Sequence, residues 1–224
     1  MLMVQCIGGF TQTEDEWNGV MQIKERLLSE LDEYSALSVR VSFKPWNAEW
    51  GRIAKRMHLL RNRYSRERFV VVVCAYSWGA GNGLKKLADQ LARYDIEIEV
   101  VVMSDGVYHS WWLPKSLWFL EVRALFGLAI RLPTNVKAVH GFAQTESRPR
   151  GVKPTGNGKI LSWTEVVRPH AEMDDLPEWH DKCASVALVA AKLAVGTPQS
   201  VPANAPPSLA LESRLAPPKE AGPE

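Results

Sequence analysis

A serine hydroxyl is a weak nucleophile at neutral pH and becomes an effective one only beside a base that is itself oriented by an acid. Ser77 is the residue of this chain best placed for such chemistry, because residues 69–83 read Phe-Val-Val-Val-Val-Cys-Ala-Tyr-Ser-Trp-Gly-Ala-Gly-Asn-Gly. The β-branched apolar run suits a strand buried on both faces of a parallel sheet, and it breaks abruptly into small residues. Ala75 and Gly79 flank Ser77 at the small positions of a G-x-S-x-G elbow, with alanine in the first of them. Small flanks are needed there because strand and helix cross closely at a strained turn. The same glycines fail as a phosphate cradle. Leu84 stands where a P-loop has its lysine and also where a dinucleotide fingerprint has its third glycine. The plain alternative is a serine in an ordinary strand-to-helix loop.

The acid and the base must come from other strand ends. Residues 3–7 form a short apolar strand running into Gly8-Gly9-Phe10-Thr11, and residues 17–31 carry Val20, Ile23, Leu27 and Leu31 at helical spacing. A strand over 38–43 ends at Pro45, where the ladder loses a donor. A helix over 52–66 turns Ile53, Met57 and Leu60 inward, and its Arg52, Lys55, Arg56, Arg61 and Arg63 read as a solvated face, with no interleaved aromatic platform for nucleic acid. Leu84, Leu87, Ala88 and Leu91 predict a helix after the elbow, and 96–103 predicts a strand ending in Ser104-Asp105-Gly106-Val107. Alternating strands and helices imply an α/β fold, a mostly parallel sheet with helices on both faces and right-handed crossovers. Sites in such sheets lie at the carboxyl ends of strands, where Gly9, Phe10, Ser77 and Asp105 all fall.

Residues 108–132 are rich in large apolar groups, among them Trp111, Trp112, Trp118, Phe119 and Phe126, and read either as a cap over an acyl pocket or as a core helix with its entry loop. Further strands are expected over 136–142 and 159–167, joined by the glycine loop 154–158, and a final helix over 177–195. Residues 1–195 form the expected domain. From Gly196 the chain is rich in proline and alanine and reads as a disordered tail over 196–224.

Composition narrows the class. The 224 residues are 46% hydrophobic and 23% charged with a net charge of +2, which suits one globular domain and gives no reason to expect nucleic acid as a partner. Cys6, Cys74 and Cys183 are odd in number and lack metal-ligand spacing, so they read as reduced core residues of a cytoplasmic protein. No signal peptide or membrane span is evident, and neither metal nor cofactor is expected.

Over about residues 3–195 the chain resembles the α/β-hydrolase superfamily, in which the serine, acid and histidine follow in that chain order. The short interval from Ser77 to the acid resembles that of lipases whose acid follows the next strand. Their Leu-Asp-Pro appears here as Ser104-Asp105-Gly106, with glycine in place of proline. His170-Ala-Glu-Met-Asp174 is similar to a late His-x-x-Met/Ile-Asp motif of small bacterial and phage hydrolases. The resemblance implies Ser77 as nucleophile, Asp105 as acid and His170 as base. It also implies Trp78 N–H as one oxyanion donor and Gly9 or Phe10 N–H as the other. Implied activity is cleavage of a carboxylic ester or thioester of a small molecule through an acyl-enzyme. His180, in Trp179-His180-Asp181, is the rival base, and Asp174 and Asp175 are rival acids, Asp175 being also a candidate cap for the final helix. His58, His109 and His140 read as structural. A hydrolase-like fold that only binds a ligand or partner is the other function consistent with these residues.

Overall fold

The computed structural model describes residues 1–34, 37–64, 68–107 and 130–195. Six parallel strands make the central sheet, in the order β2 (Val39–Pro45), β1 (Leu2–Gly8), β3 (Val70–Tyr76), β4 (Ile98–Ser104), β6 (Val136–Gln144) and β8 (Lys159–Val166). Every neighbouring pair is parallel, with one register irregularity between Val139 and His140 on β6. The central strands β1 and β3 are buried along their whole length, as their unbroken apolar sequences require. Pro45 closes β2, an edge strand, where a missing ladder donor costs little.

Alternate strand residues feed two cores. On one face Leu2, Val4, Val70 and Val72 meet α1 (Gly19–Leu31) through Val20, Ile23 and Leu27, and α4 (Pro177–Val195) through Trp179 and Ala187. On the other, Met3, Ile7, Val71 and Val73 meet α2 (Trp50–Arg63) through Trp50, Ala54 and Met57, and α3 (Leu84–Ala92) through Leu84, Leu87 and Leu91. Each such large side chain withdrawn from water contributes about 1.5–3 kcal/mol, so this alternation fixes strand register. Asn18 starts α1 by accepting the Met21 N–H at 3.0 Å.

The expected mostly parallel sheet with helices on both faces is therefore what forms. Two details differ from expectation. The segment 154–158 is not only a loop: β7 (Thr155–Gly156) pairs with β5 (Arg131–Leu132) in a small second sheet, two residues being too short to leave a periodic signal. Asp175 stands beside the first turn of α1, where its carboxylate accepts from Gln22 Nε2 at 3.0 Å. The basic residues of α2 lie at the surface, Arg52 against Glu49 at 3.7 Å and Arg61 donating to the Asp95 carbonyl. Cys6, Cys74 and Cys183 are free and buried. A hydrogen bond between thiols, followed by burial, raises the pKa of Cys6 and of Cys74, and burial raises that of Cys183. The tryptophans of 108–129, His109 and the tail 196–224 lie outside the described residues. Among the described residues no helix is long and apolar enough to cross a membrane.

Candidate active site

Ser77 follows β3 directly and holds a left-handed backbone, φ 51°. Its N–H donates to the Ser104 carbonyl at 3.0 Å, and its own carbonyl accepts from Ala80, Gly81 and Val107. The turn Gly79–Gly83 is one π-helical turn leading into α3. Glycine at 79 is a steric requirement, since a Cβ would stand 2.5 Å from both the Ile7 and Gly8 carbonyl oxygens at the end of β1. The serine is thus pinned at the junction of β1, β3 and β4, where a strained conformation is held by its surroundings.

Ser77 Oγ lies 2.8 Å from His170 Nε2. The other ring nitrogen, His170 Nδ1, is hydrogen-bonded to Asp105 Oδ2. Because a carboxylate oxygen draws the proton to Nδ1, Nε2 is left as the acceptor for the Ser77 hydroxyl. Asp105 is fully buried at the end of β4 and also left-handed, φ 44°. Its second oxygen, Oδ1, accepts from the backbone N–H of Gln144 at 3.2 Å and of Gly151 at 2.6 Å. With the histidine these donors satisfy the carboxylate on both oxygens and fix its direction.

His170 stands in a 3-10 turn, His170–Glu172, between β8 and α4. Its N–H donates to Ser147 Oγ at 2.7 Å, and its carbonyl accepts from the Tyr76 hydroxyl at 2.6 Å. The Tyr76 ring stacks on the imidazole, centroids 5.4 Å apart and planes 26° apart. Burial, and then the carboxylates of Asp174, Asp105 and Asp175, raise the Tyr76 pKa strongly, so the phenol stays protonated as a donor. Tyr76, the residue before Ser77, therefore holds His170 by both ring and hydroxyl.

The arrangement joins the strand-end serine, the acid after the next strand and the histidine before the last helix, in one parallel sheet. The chain has an α/β-hydrolase fold. Solved structures with similar folds include RedJ with a polyethylene glycol molecule in its active site, 12% identical over 84% of this chain and 92% of that one, TM-score 0.41. The RedJ thioesterase of prodiginine biosynthesis in Streptomyces coelicolor is 11% identical over 84% and 85%, TM-score 0.43. BorB, the type II thioesterase of the borrelidin cluster, is 11% identical over 83% and 92%, TM-score 0.39. No family model matches the chain, and no curated protein matches it.

Within this α/β-hydrolase fold the rival histidines and carboxylates have partners other than the serine. His180 Nε2–H donates to the Asp174 carbonyl at 2.6 Å. Asp174 faces Gln12 and Gly19. His140 shares a hydrogen bond with Ser162 Oγ, and burial lowers its pKa. His58 stacks on Tyr94. Gly9 N–H donates to Gln12 Oε1 at 2.8 Å. Beside the serine, Phe10, Trp46 and Trp78 follow β1, β2 and β3 and form one aromatic cluster. Phe10 and Trp78 lie 5.0 Å apart, as do Trp46 and Trp78, and Phe10 is 52% exposed. Sequence reasoning passed over Tyr76, Gln144, Ser147 and Gly151. The last of these acts through a backbone N–H, which no residue type announces. Among the described residues, no cluster of three potential metal ligands occurs.

Proposed function

We propose that the protein is a serine hydrolase that cleaves a carboxylic ester or thioester through an acyl-enzyme. The observation that carries this reading is the 2.8 Å separation of Ser77 Oγ from His170 Nε2 while Nδ1 is bound to Asp105. In this reading Ser77 Oγ attacks the substrate carbonyl carbon as its proton passes to His170 Nε2, and Asp105 stabilises the imidazolium. Collapse of the tetrahedral intermediate returns the proton to the leaving alcohol or thiol. Water then repeats the sequence on the acyl-enzyme and frees the acid.

The oxyanion is assigned to Trp78 N–H, next to the nucleophile, and to an N–H of the Gly9-Phe10 loop. Each such donor is worth about 3 kcal/mol in the transition state. The aromatic cluster of Phe10, Trp46 and Trp78 supports an apolar group on the substrate.

A fluorophosphonate probe tests the reading. Folded protein is expected to be labelled at Ser77, and Ser77→Ala and His170→Ala to abolish labelling. Lack of labelling in the wild type, or equal labelling after Ser77→Ala, would favour the binding-only alternative. A panel of aryl esters of increasing acyl length then measures the apolar preference.

A further inference from the structure

The late motif ends in Asp174, which the proposed chemistry does not use. This carboxylate is 7% exposed. Its Oδ2 accepts from Gln12 Nε2 at 2.5 Å and from Gly19 N–H at 3.2 Å. Gln12 is itself nearly buried, 9% exposed, and its Oε1 accepts the Gly9 N–H at 2.8 Å. A second bond closes the same turn, Gln12 N–H to the Gly9 carbonyl at 3.3 Å. Gln12 therefore holds Gly9 by both of its peptide groups, and Asp174 holds Gln12.

Asp174 is in turn fixed by its backbone. The Ser104 hydroxyl donates to the Met173 carbonyl at 2.7 Å, and His180 Nε2–H to the Asp174 carbonyl at 2.6 Å. Tyr76 holds the His170 carbonyl at the other end of this strap. The strap that carries the histidine is thereby tied to β3, to β4 and, through Gln12, to the loop after β1.

We infer that Asp174 and Gln12 are positioning residues that act in series, setting the Gly9-Phe10 loop at a fixed distance from Ser77 and His170. The inference rests on the serine-hydrolase reading for its kinetic consequence but not for its structural one. A buried carboxylate held only for stability has no need to reach a loop glycine through a second buried side chain. Reach of that kind is what aligning an oxyanion donor requires, because a displacement of about 1 Å at a reacting centre can cost a hundredfold in rate.

The experiment uses full-length protein with Gln12→Met, Asp174→Asn, Asp174→Ala and the Gln12→Met/Asp174→Ala double variant, assayed on an aryl ester and by amide hydrogen exchange at Gly9. The expected result is a fall in kcat of about 10- to 100-fold for Gln12→Met and Asp174→Ala with little change in KM, partial retention in Asp174→Asn, and no further loss in the double variant. Gly9 exchange is expected to be slow in the wild type and faster in Gln12→Met and Asp174→Ala. Additive losses in the double variant, or Gly9 exchange unchanged by Asp174→Ala, would overturn the inference. If the wild type hydrolyses no ester, the serine-hydrolase reading fails and the exchange measurement alone decides this one. Should Asp174→Ala not fold, Gln12→Met and Asp174→Asn supply both readouts.

Discussion

Ser77 combines the proposed nucleophile with a left-handed backbone, and the two properties can be separated by substitution. At φ 51° any residue with a Cβ carries roughly 1–2 kcal/mol of local strain, whereas glycine carries almost none. Glycine also loses more freedom on folding, which returns about 0.5–1 kcal/mol of that gain. Ser77→Gly is therefore expected to be more stable than Ser77→Ala by about 0.5–1 kcal/mol in urea denaturation, with both inactive by about four to six orders of magnitude. Equal midpoints for the two variants would mean that the turn is not strained at this position. The sequence made the serine legible through its small neighbours. It did not separate His170 from His180, because both lie near the start of the last helix and only the strap's path decides which ring reaches Ser77.

At the scale of elements, long strands and helices were readable because their burial demands a period. β3 is a continuous apolar run enclosed on both faces, and α1 shows an apolar stripe ending at Leu31. The segment between β6 and β8 was not readable in that way, yet it holds the Asp105 carboxylate. Gln144 Nε2 donates to the carbonyls of Ser147 and Pro149, and Gln144 Oε1 accepts from Ser147 N–H, so one side chain folds the turn that presents Gly151. A Cβ at 151 would fall on Asp105 Oδ1 itself. Gly151→Ala is accordingly expected to push this loop away from the carboxylate, leaving Oδ1 one donor short. A drop in kcat/KM of about 10- to 100-fold is expected, with Ser77 still labelled, more slowly, by a fluorophosphonate. An alanine variant with wild-type rates would remove this loop from the account of the site.

The whole molecule must carry a cluster of carboxylates at one sheet edge, and that has a cost which pH exposes. Asp105, Asp174 and Asp175 lie near Tyr76, and for Asp174 burial, followed by the charge of Asp175, raises the pKa despite the bonds from Gly19, its own backbone and Gln12. A carboxyl group whose pKa is higher folded than unfolded binds its proton more tightly in the native state. Its favourable contribution is complete below the unfolded value of about 3.9 and is lost as pH rises through the folded value. Asp174→Asn cannot ionise and so escapes that loss, while its amide oxygen still accepts from Gly19 and Gln12. The difference in melting temperature between Asp174→Asn and wild type is therefore expected to move in favour of the variant as pH rises from about 4 to 7, while its kcat stays below that of the wild type. Thermal melts at closely spaced pH values give this slope directly. A difference that moved toward the wild type would show the ionised carboxylate to be a net stabiliser of the fold, and the trade of stability for loop alignment at Asp174 would have to be abandoned.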